Sequence, residues 1–245
     1  MLITSLNNDK VKELCKLKTK KYRDEFNIFF VEGIDLISEA YKNNLLKHLY
    51  IIDGYENPYP SIPCTYITPL IMKKISDMES VSSYFGICEK PTEKPLGNKL
   101  LILDNIQDPG NLGTIVRSAV AFNFDTIVLS TDTVDIYNPK VVRSTKGMLF
   151  NTNIIVRDLN NFVDNLNEYT IYGTDVNKGI DIKDEILPEK LAIVIGNEGN
   201  GISDTVKAKC HKFIYIAMNK KCESLNAGVS ASIIMYEVYH KWNMF

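Results

Sequence analysis

The sequence predicts an α/β protein whose second half is built on a parallel sheet. Three observations carry that expectation. Between residues 100 and 218 the chain repeats short apolar runs, LLILD, TIVLS, NIIVR, TIYGTDV, LAIVI and FIYIAM, each too short for a helix. Segments of helical spacing lie between them, and such alternation gives a parallel sheet covered on both faces. The last run opens a strand, polar loop and helix over Phe213–Tyr239, with Glu223, Ser224 and Asn226 in the loop. Open α/β sheets place ligands just beyond such strand ends. The small residues 227–232 let a second backbone approach the final helix closely.

In chain order, Asn7 or Asn8 caps a basic helix over about residues 9–20, with Val11, Leu14 and Leu17 on one face. Arg23 and the turn before Phe26 end it. NIFFVEG reads as a strand and IDLISEAYKN as a helix with Ile34, Leu36, Ile37 and Ala40 facing inward. LKHLYIID and PCTYIT are strands, and residues 69–78 a short helix, which together predict a small three-layer α/β domain. The Pro- and charge-rich stretch CEKPTEKPLGN (88–98) reads as a connection. The chain therefore divides into a first domain over residues 1–90, a linker over 91–98 and a second domain over 99–245.

In the second domain LLILD (100–104) is a strand, NIQDPGN a turn and LGTIVRSAVAFN a helix. TIVLS (126–130) precedes a polar loop and a helix at NPKVVRSTKGML. NIIVR, a helix around 160–167, and TIYGTDV add a further step, and LAIVIGNEGNGIS gives a strand, a glycine-rich loop and a helix opening at Ser203 or Asp204.

Apolar content of 45% and charged content of 24% are ordinary for a globular protein, and the net charge of −2 does not suit a uniformly basic nucleic-acid binder. Charge is uneven, however. Residues 10–23 carry Lys10, Lys12, Lys16, Lys18, Lys20, Lys21 and Arg23 against Glu13 alone, and residues 205–221 carry five lysines and no acid. Either cluster alone reads as a solvated face; the pair points towards a polyanionic partner. The five cysteines form no C-x-x-C pair and are odd in number, so reduced thiols, no metal site and a cytoplasmic setting are expected. No apolar run approaches 18 residues, and no signal peptide or membrane span is expected.

Three segments could carry chemistry. GNEGNG (196–201) has the spacing G-x-x-G-x-G, which is neither the dinucleotide fingerprint nor a P-loop. Glu198 would oppose a phosphate docking there, so a cofactor without phosphates, or a cationic one, fits better. The plainer reading is a tight turn using glycine for positive φ. DPGNLGTIVRSA (108–119) places Asn111 at or near a helix N-cap, and Arg117 among apolar neighbours is either a surface arginine or an anion clamp. CESLN (222–226) offers Ser224 and Asn226 as loop ligands or as caps of the last helix. None of His48, His211 and His240 lies in a catalytic pattern.

Together NLGTIVRSA (111–119), IVIGNEGNGIS (193–203) and IAMNKKCESLNAGVSASIIMYE (216–237) resemble the SpoU family of RNA ribose 2′-O-methyltransferases within the SPOUT class, in family order over residues 100–240. The leading segment, with Lys21 and Arg23 followed by FVEG, is similar to the family's N-terminal RNA-binding domain, of L30e-like fold. The resemblance implies a deep trefoil knot, a homodimer with sites completed by the partner chain, and S-adenosylmethionine held near Thr174, Gly196, Ile216, Met218 and Leu225. It implies catalytic roles for Arg117, Asn111, Glu198, Ser224 and Asn226. RNA contacts are expected at Lys20, Lys21, Arg23, Arg143 and Lys146, with ribosomal (23S) RNA favoured over tRNA. The chain departs from the family pattern at Ala217, usually proline, and Ala227, usually valine. A non-catalytic RNA-binding or ribosome-assembly role stays open beside this reading, as does a nucleotide-dependent small-molecule enzyme, which the glycine spacing and Glu198 oppose.

Overall fold

The protein is described by a computed structural model covering residues 2–176 and 178–243. In chain order its first elements are β1 (Leu2–Ile3), α1 (Asp9–Lys16), α2 (Lys20–Phe26), β2 (Ile28–Glu32), α3 (Ile34–Lys42) and β3 (Leu46–Ile52). Next come β4 (Cys64–Ile67), α4 (Pro69–Ile75), β5 (Tyr84–Glu89), β6 (Lys99–Leu103), α5 (Pro109–Ala121), β7 (Thr126–Ser130) and α6 (Pro139–Ser144). A 3-10 turn at Met148–Phe150 leads to β8 (Asn153–Arg157), α7 (Leu159–Asp164), β9 (Thr170–Thr174), β10 (Ile180–Asp181) and β11 (Leu191–Ile195). Then follow α8 (Asp204–Lys207), β12 (Lys212–Tyr215) and α9 (Ala227–Asn243). The chain divides into two units, residues 1–92 with 135–150, and residues 93–134 with 151–245.

In the first unit a sheet runs β1-β4-β3-β5-β2, with β5 antiparallel to both neighbours. Phe30, Tyr50, Phe85 and Ile87 form one core with Val11 and Leu14 of α1 and Ile71, Met72 and Ile75 of α4. Strand alternation sends Phe29 to the other face. There its fully buried ring meets Tyr137 at 4.7 Å and Phe150 at 6.0 Å. Residues 135–150 thus belong to the cover of this unit, whereas the division at the Pro-rich stretch gave them to the second domain. Composition marks one passage of the chain between units. The need of β2 for a cover on its second face is set by strand pairing, which composition does not report.

The expected basic helix is two helices. Asn8 caps α1 by accepting from Lys10 N at 2.9 Å, α1 stops at Lys16, and α2 starts after Thr19. The break keeps Leu17 in the core while its carbonyl accepts from Arg23 Nη1 at 2.7 Å. Arg23 Nη2 reaches Asp135 at 2.6 Å, and the arginine side chain is only 3% exposed. Ile34, expected inward, is exposed, because α3 turns Leu36, Ile37 and Ala40 to the core. β5 fills a stretch for which no element was expected and takes Cys88 and Glu89 from the supposed connection.

The second unit holds the parallel sheet, in the order β10-β12-β9-β11-β6-β7-β8. β6, β7 and β11 are buried at every position, as continuous apolar runs in a covered parallel sheet should be. β7, β8 and β11 coincide with the runs that announced them. β12 ends earlier than expected, at Tyr215, which leaves Ile216 and Met218 in the loop beyond it. β11 lies between β6 and β9, so the loops leaving β6, β9, β11 and β12 share the carboxyl edge of the sheet. Among the described residues no helix is long and apolar enough to cross a membrane.

Breaking the Arg23–Asp135 pair by Arg23→Met should destabilise the first unit by about 3 kcal/mol, because it strands a partly buried carboxylate. The double change Arg23→Met with Asp135→Leu should recover much of that loss. Hydrogen exchange along β2 in both variants checks this.

Candidate functional site

The glycine-rich loop after β11 is shaped largely by one residue that the motif reading passed over, Asn197. Its backbone pairs with Gly201 in both directions at 2.9 Å. Its Oδ1 accepts from Gly199 N and Asn200 N at 3.0 Å, and its Nδ2 donates to the Asn105 carbonyl at 2.8 Å. Two glycines then serve different ends. Gly201 supplies a positive φ of 69°. At Gly196 a Cβ would fall 2.2 Å from the backbone of Gly201 and Ile202, so only glycine lets the loop fold back on its own strand. The far end is pinned by buried Asp104, which accepts from Ser203 N at 2.8 Å and Ser203 Oγ at 2.7 Å.

This loop carries Glu198 to the N-terminus of α5. The helix begins earlier than expected: Asp108, not Asn111, is the cap, accepting from Asn111 N at 2.7 Å with Pro109 in the first turn. The Asn111 side chain is therefore free to act elsewhere. Its Nδ2 donates to Glu198 Oε1 at 2.8 Å, and the backbone N–H groups of Gln107 and Asp108 approach the same carboxylate at 3.4 Å. Since the carboxylate can only accept, Asn111 turns its Oδ1 to Asn226, whose Nδ2 donates at 2.8 Å. Asn226 in turn keeps its Oδ1 for Gly228 N at 3.0 Å and Val229 N at 3.2 Å, capping α9. One directed chain of hydrogen bonds thus joins the N-termini of two helices through a single anion. Partial burial pushes the Glu198 pKa up, but the bonds from Asn111 and from backbone N–H groups outweigh it and hold the carboxyl below its usual range.

Beside this chain lies a crevice of about 420 Å³. All five expected cofactor contacts, Thr174, Gly196, Ile216, Met218 and Leu225, line it, as do Glu198 and Ser224. Ile195, Ile202, Ala227 and Ile234 add apolar wall, and the charged lining is Asp175, Glu198 and Glu223 against Lys207. A pyrophosphate is poorly served by such a lining, and the helix N-terminus that would hold it already carries Glu198. S-adenosylmethionine fits: apolar walls suit an adenine, and the excess of carboxylates suits a sulfonium.

Arg117 stands apart. It was read among apolar neighbours, but Thr114, Arg117 and Ala121 form the exposed stripe of α5, opposite Leu112, Ile115, Val116 and Ala119. Among the described residues its side chain makes no hydrogen bond or ion pair, and it does not line the crevice. The small residues of α9 pack against side chains of α5: the Ser118 and Ser232 hydroxyls are 2.7 Å apart, and Gly228 lies against the Thr114 side chain.

The expected RNA contacts fare unevenly. Arg23 is buried and held by Leu17 and Asp135, so it offers nothing to RNA. Arg143 faces Asp77 at 3.3 Å and Glu32 at 3.9 Å, and Lys20 pairs with Asp24 at 2.5 Å. Lys21 and Lys146 are exposed. The lysine cluster at 205–221 is largely neutralised, with Lys207, Lys209 and Lys212 paired to Asp175, Asp164 and Glu185.

Residues 98–236 match the model of the SpoU rRNA methylase family, and residues 8–86 match the MRM3-like substrate binding domain. The chain is 34% identical to the 23S rRNA (guanosine(2553)-2′-O)-methyltransferase RlmP of Bacillus subtilis (strain 168), over 96% of this chain and 98% of the relative. Its fold is similar to AdoMet-bound rRNA methyltransferase from Sinorhizobium meliloti, with a TM-score of 0.87 at 23% identity over 98% and 97% of the two chains. It is equally similar to the SpoU methyltransferase AviRb from Streptomyces viridochromogenes in complex with AdoMet, with a TM-score of 0.87 at 23% identity over 97% and 99%.

Because the Glu198 pKa lies below the ordinary 4.5, its contribution to stability is complete above about that pH and is lost as pH falls through the lower folded value. Hydrogen exchange, corrected for intrinsic rates, should show the 196–203 loop losing protection in that acid window. Glu198→Gln should lower protection at neutral pH and abolish the acid step. Gly196→Ala should disorder the same loop at every pH.

Proposed function

The chain belongs to the SpoU rRNA methylase family, and on that premise we propose that it methylates a ribose 2′-hydroxyl of 23S rRNA, using S-adenosylmethionine in the crevice beside Glu198. The observation that carries this reading is the directed chain Asn226–Asn111–Glu198, which puts the protein's own anion at the helix N-terminus and leaves an apolar, acid-rimmed crevice next to it. Bound there, S-adenosylmethionine supplies an electrophilic methyl group on a cationic sulfur.

The chain's residues then divide the work. Thr174, Gly196, Ile216, Met218 and Leu225 hold the cofactor, and the carboxylate excess favours the cationic donor over the neutral thioether product. Glu198 stays ionised at neutral pH, and with a pKa held low it is a weak base; it fixes Asn111 and Asn226 instead of removing a proton. Ser224, exposed at the crevice, positions the ribose. Arg117 binds the phosphate beside the reacting ribose and orients its hydroxyl for in-line attack, since a guanidinium offers donors and no acceptor for the proton.

The exposed stripe bearing Arg117 supports a homodimer in which each crevice is completed by the arginine of the partner copy. Val229 and Tyr236 of α9, each 45% exposed, supply apolar surface for that contact. The insertion of β11 between β6 and β9 is compatible with a trefoil knot in which the segment before α9 threads the sheet. The first unit, L30e-like on this reading, presents the RNA, with Lys20, Lys21 and Lys146 as contacts. A cytoplasmic setting follows from ribosomal RNA as substrate.

Purified protein with labelled S-adenosylmethionine should label in-vitro-transcribed 23S rRNA at a position mapped by resistance to alkaline cleavage. No label from protein that binds the cofactor contradicts the reading. Arg117→Ala should lower kcat by about 100-fold or more, leaving cofactor affinity within about twofold. Mixing inactive Arg117→Ala with inactive Gly196→Ala should restore activity, because one crevice of each mixed dimer is then whole; no recovery after subunit exchange would exclude the shared site.

A further inference from the structure

Burial of Arg23 against Leu17 and Asp135 fixes the roll of α2 and leaves Lys20, Lys21, Tyr22 and Phe26 towards its outer side. Tyr22 and Phe26, one helical turn apart, stack with ring centroids 6.3 Å apart and planes inclined by 19°. Lys16 Nζ and Lys21 Nζ lie 5.4 and 5.7 Å from the Tyr22 centroid, within reach of the ring's negative face. Phe26 is 47% exposed, and Asn27, at a φ of 54°, ends the helix directly after it, so the ring is held at a capped terminus.

We infer that Tyr22 and Phe26 form a platform on which an unpaired base of the RNA stacks, with Lys16 and Lys21 meeting the phosphates on either side. The inference rests on the reading of the first unit as the RNA-presenting one and names how it does so. Single-stranded RNA is gripped by this combination: aromatic faces take splayed bases, and flanking cations take the backbone. The local charge suits that occupant. Asp24 is neutralised by Lys20 at 2.5 Å and Lys90 at 2.6 Å, which leaves Glu25 as the acid of α2 outnumbered by Lys16 and Lys21. A base stacked here contributes by area and π contact, so its loss should not alter the number of phosphates engaged.

The test compares Phe26→Leu, which keeps apolar bulk but removes the planar face, with Phe26→Trp, which keeps it. With in-vitro-transcribed 23S rRNA, Phe26→Leu should raise KM for RNA about tenfold, leave kcat and S-adenosylmethionine affinity unchanged, and be rescued by Phe26→Trp. In anisotropy titrations of the full-length protein with a fluorescein-labelled single-stranded 20-mer RNA, Phe26→Leu should weaken binding without changing the salt slope. Lys21→Ala should reduce that slope by about 1. A KM and a 20-mer affinity for Phe26→Leu within twofold of wild type would overturn the platform. So would a Phe26→Leu defect that the tryptophan does not rescue. If wild type leaves 23S rRNA unmethylated while 20-mer binding still depends on Phe26, the platform stands and the proposed reaction falls.

Discussion

A carboxylate seated at a helix N-terminus organises the second unit. Helix N-termini beyond the strands of a parallel sheet attract anions, and many nucleotide folds leave that place to a phosphate. Here Glu198 takes it, held by Asn111 and approached by the N–H groups of Gln107 and Asp108. The consequence is selective. A phosphate-bearing guest would have to displace or face an ionised carboxylate, whereas a sulfonium is attracted by it. The same anion dictates the orientation of the Asn111 amide and, through it, that of Asn226, so α9 is capped by a residue whose geometry is set from the loop after β11.

Much of this was legible in the residues. Apolar runs located β7, β8 and β11 to the residue, and the motif residues Asn111, Glu198 and Asn226 do meet. What escaped were groups whose partners lie far along the chain. Asp104 and Ser203 are 99 residues apart, and Asn197 reaches Asn105 across 92. Neither belongs to a pattern that periodicity or spacing can report. Arg117, open in the sequence between a surface arginine and an anion clamp, is exposed for a related reason: its neighbours in sequence are apolar, yet a turn of 3.6 residues puts it on the stripe with Thr114 and Ala121. Asn111 moved from cap to first turn because Asp108, three residues earlier, had an acceptor in reach of its N–H.

The first unit teaches a complementary lesson. Arg23 looked like a ligand for RNA because it stands in a basic run, but charge along a sequence does not say which side of a helix meets solvent. The break at Leu17–Thr19 rolls Arg23 inward to satisfy a carbonyl and an aspartate, and the same roll exposes Phe26. Residues 135–150 enter this unit on the same terms, through Asp135, Tyr137 and Phe150, because β2 carries aromatic side chains on both faces.

Calorimetric titration of the full-length protein with S-adenosylmethionine and, separately, with ATP and NAD most directly tests the central claim, that Glu198 reserves the crevice for a phosphate-free cation. Saturable heat from S-adenosylmethionine and none from either phosphate-bearing nucleotide is the expected result. Saturable binding of ATP or NAD that competes with S-adenosylmethionine, or the absence of any S-adenosylmethionine binding, would contradict it.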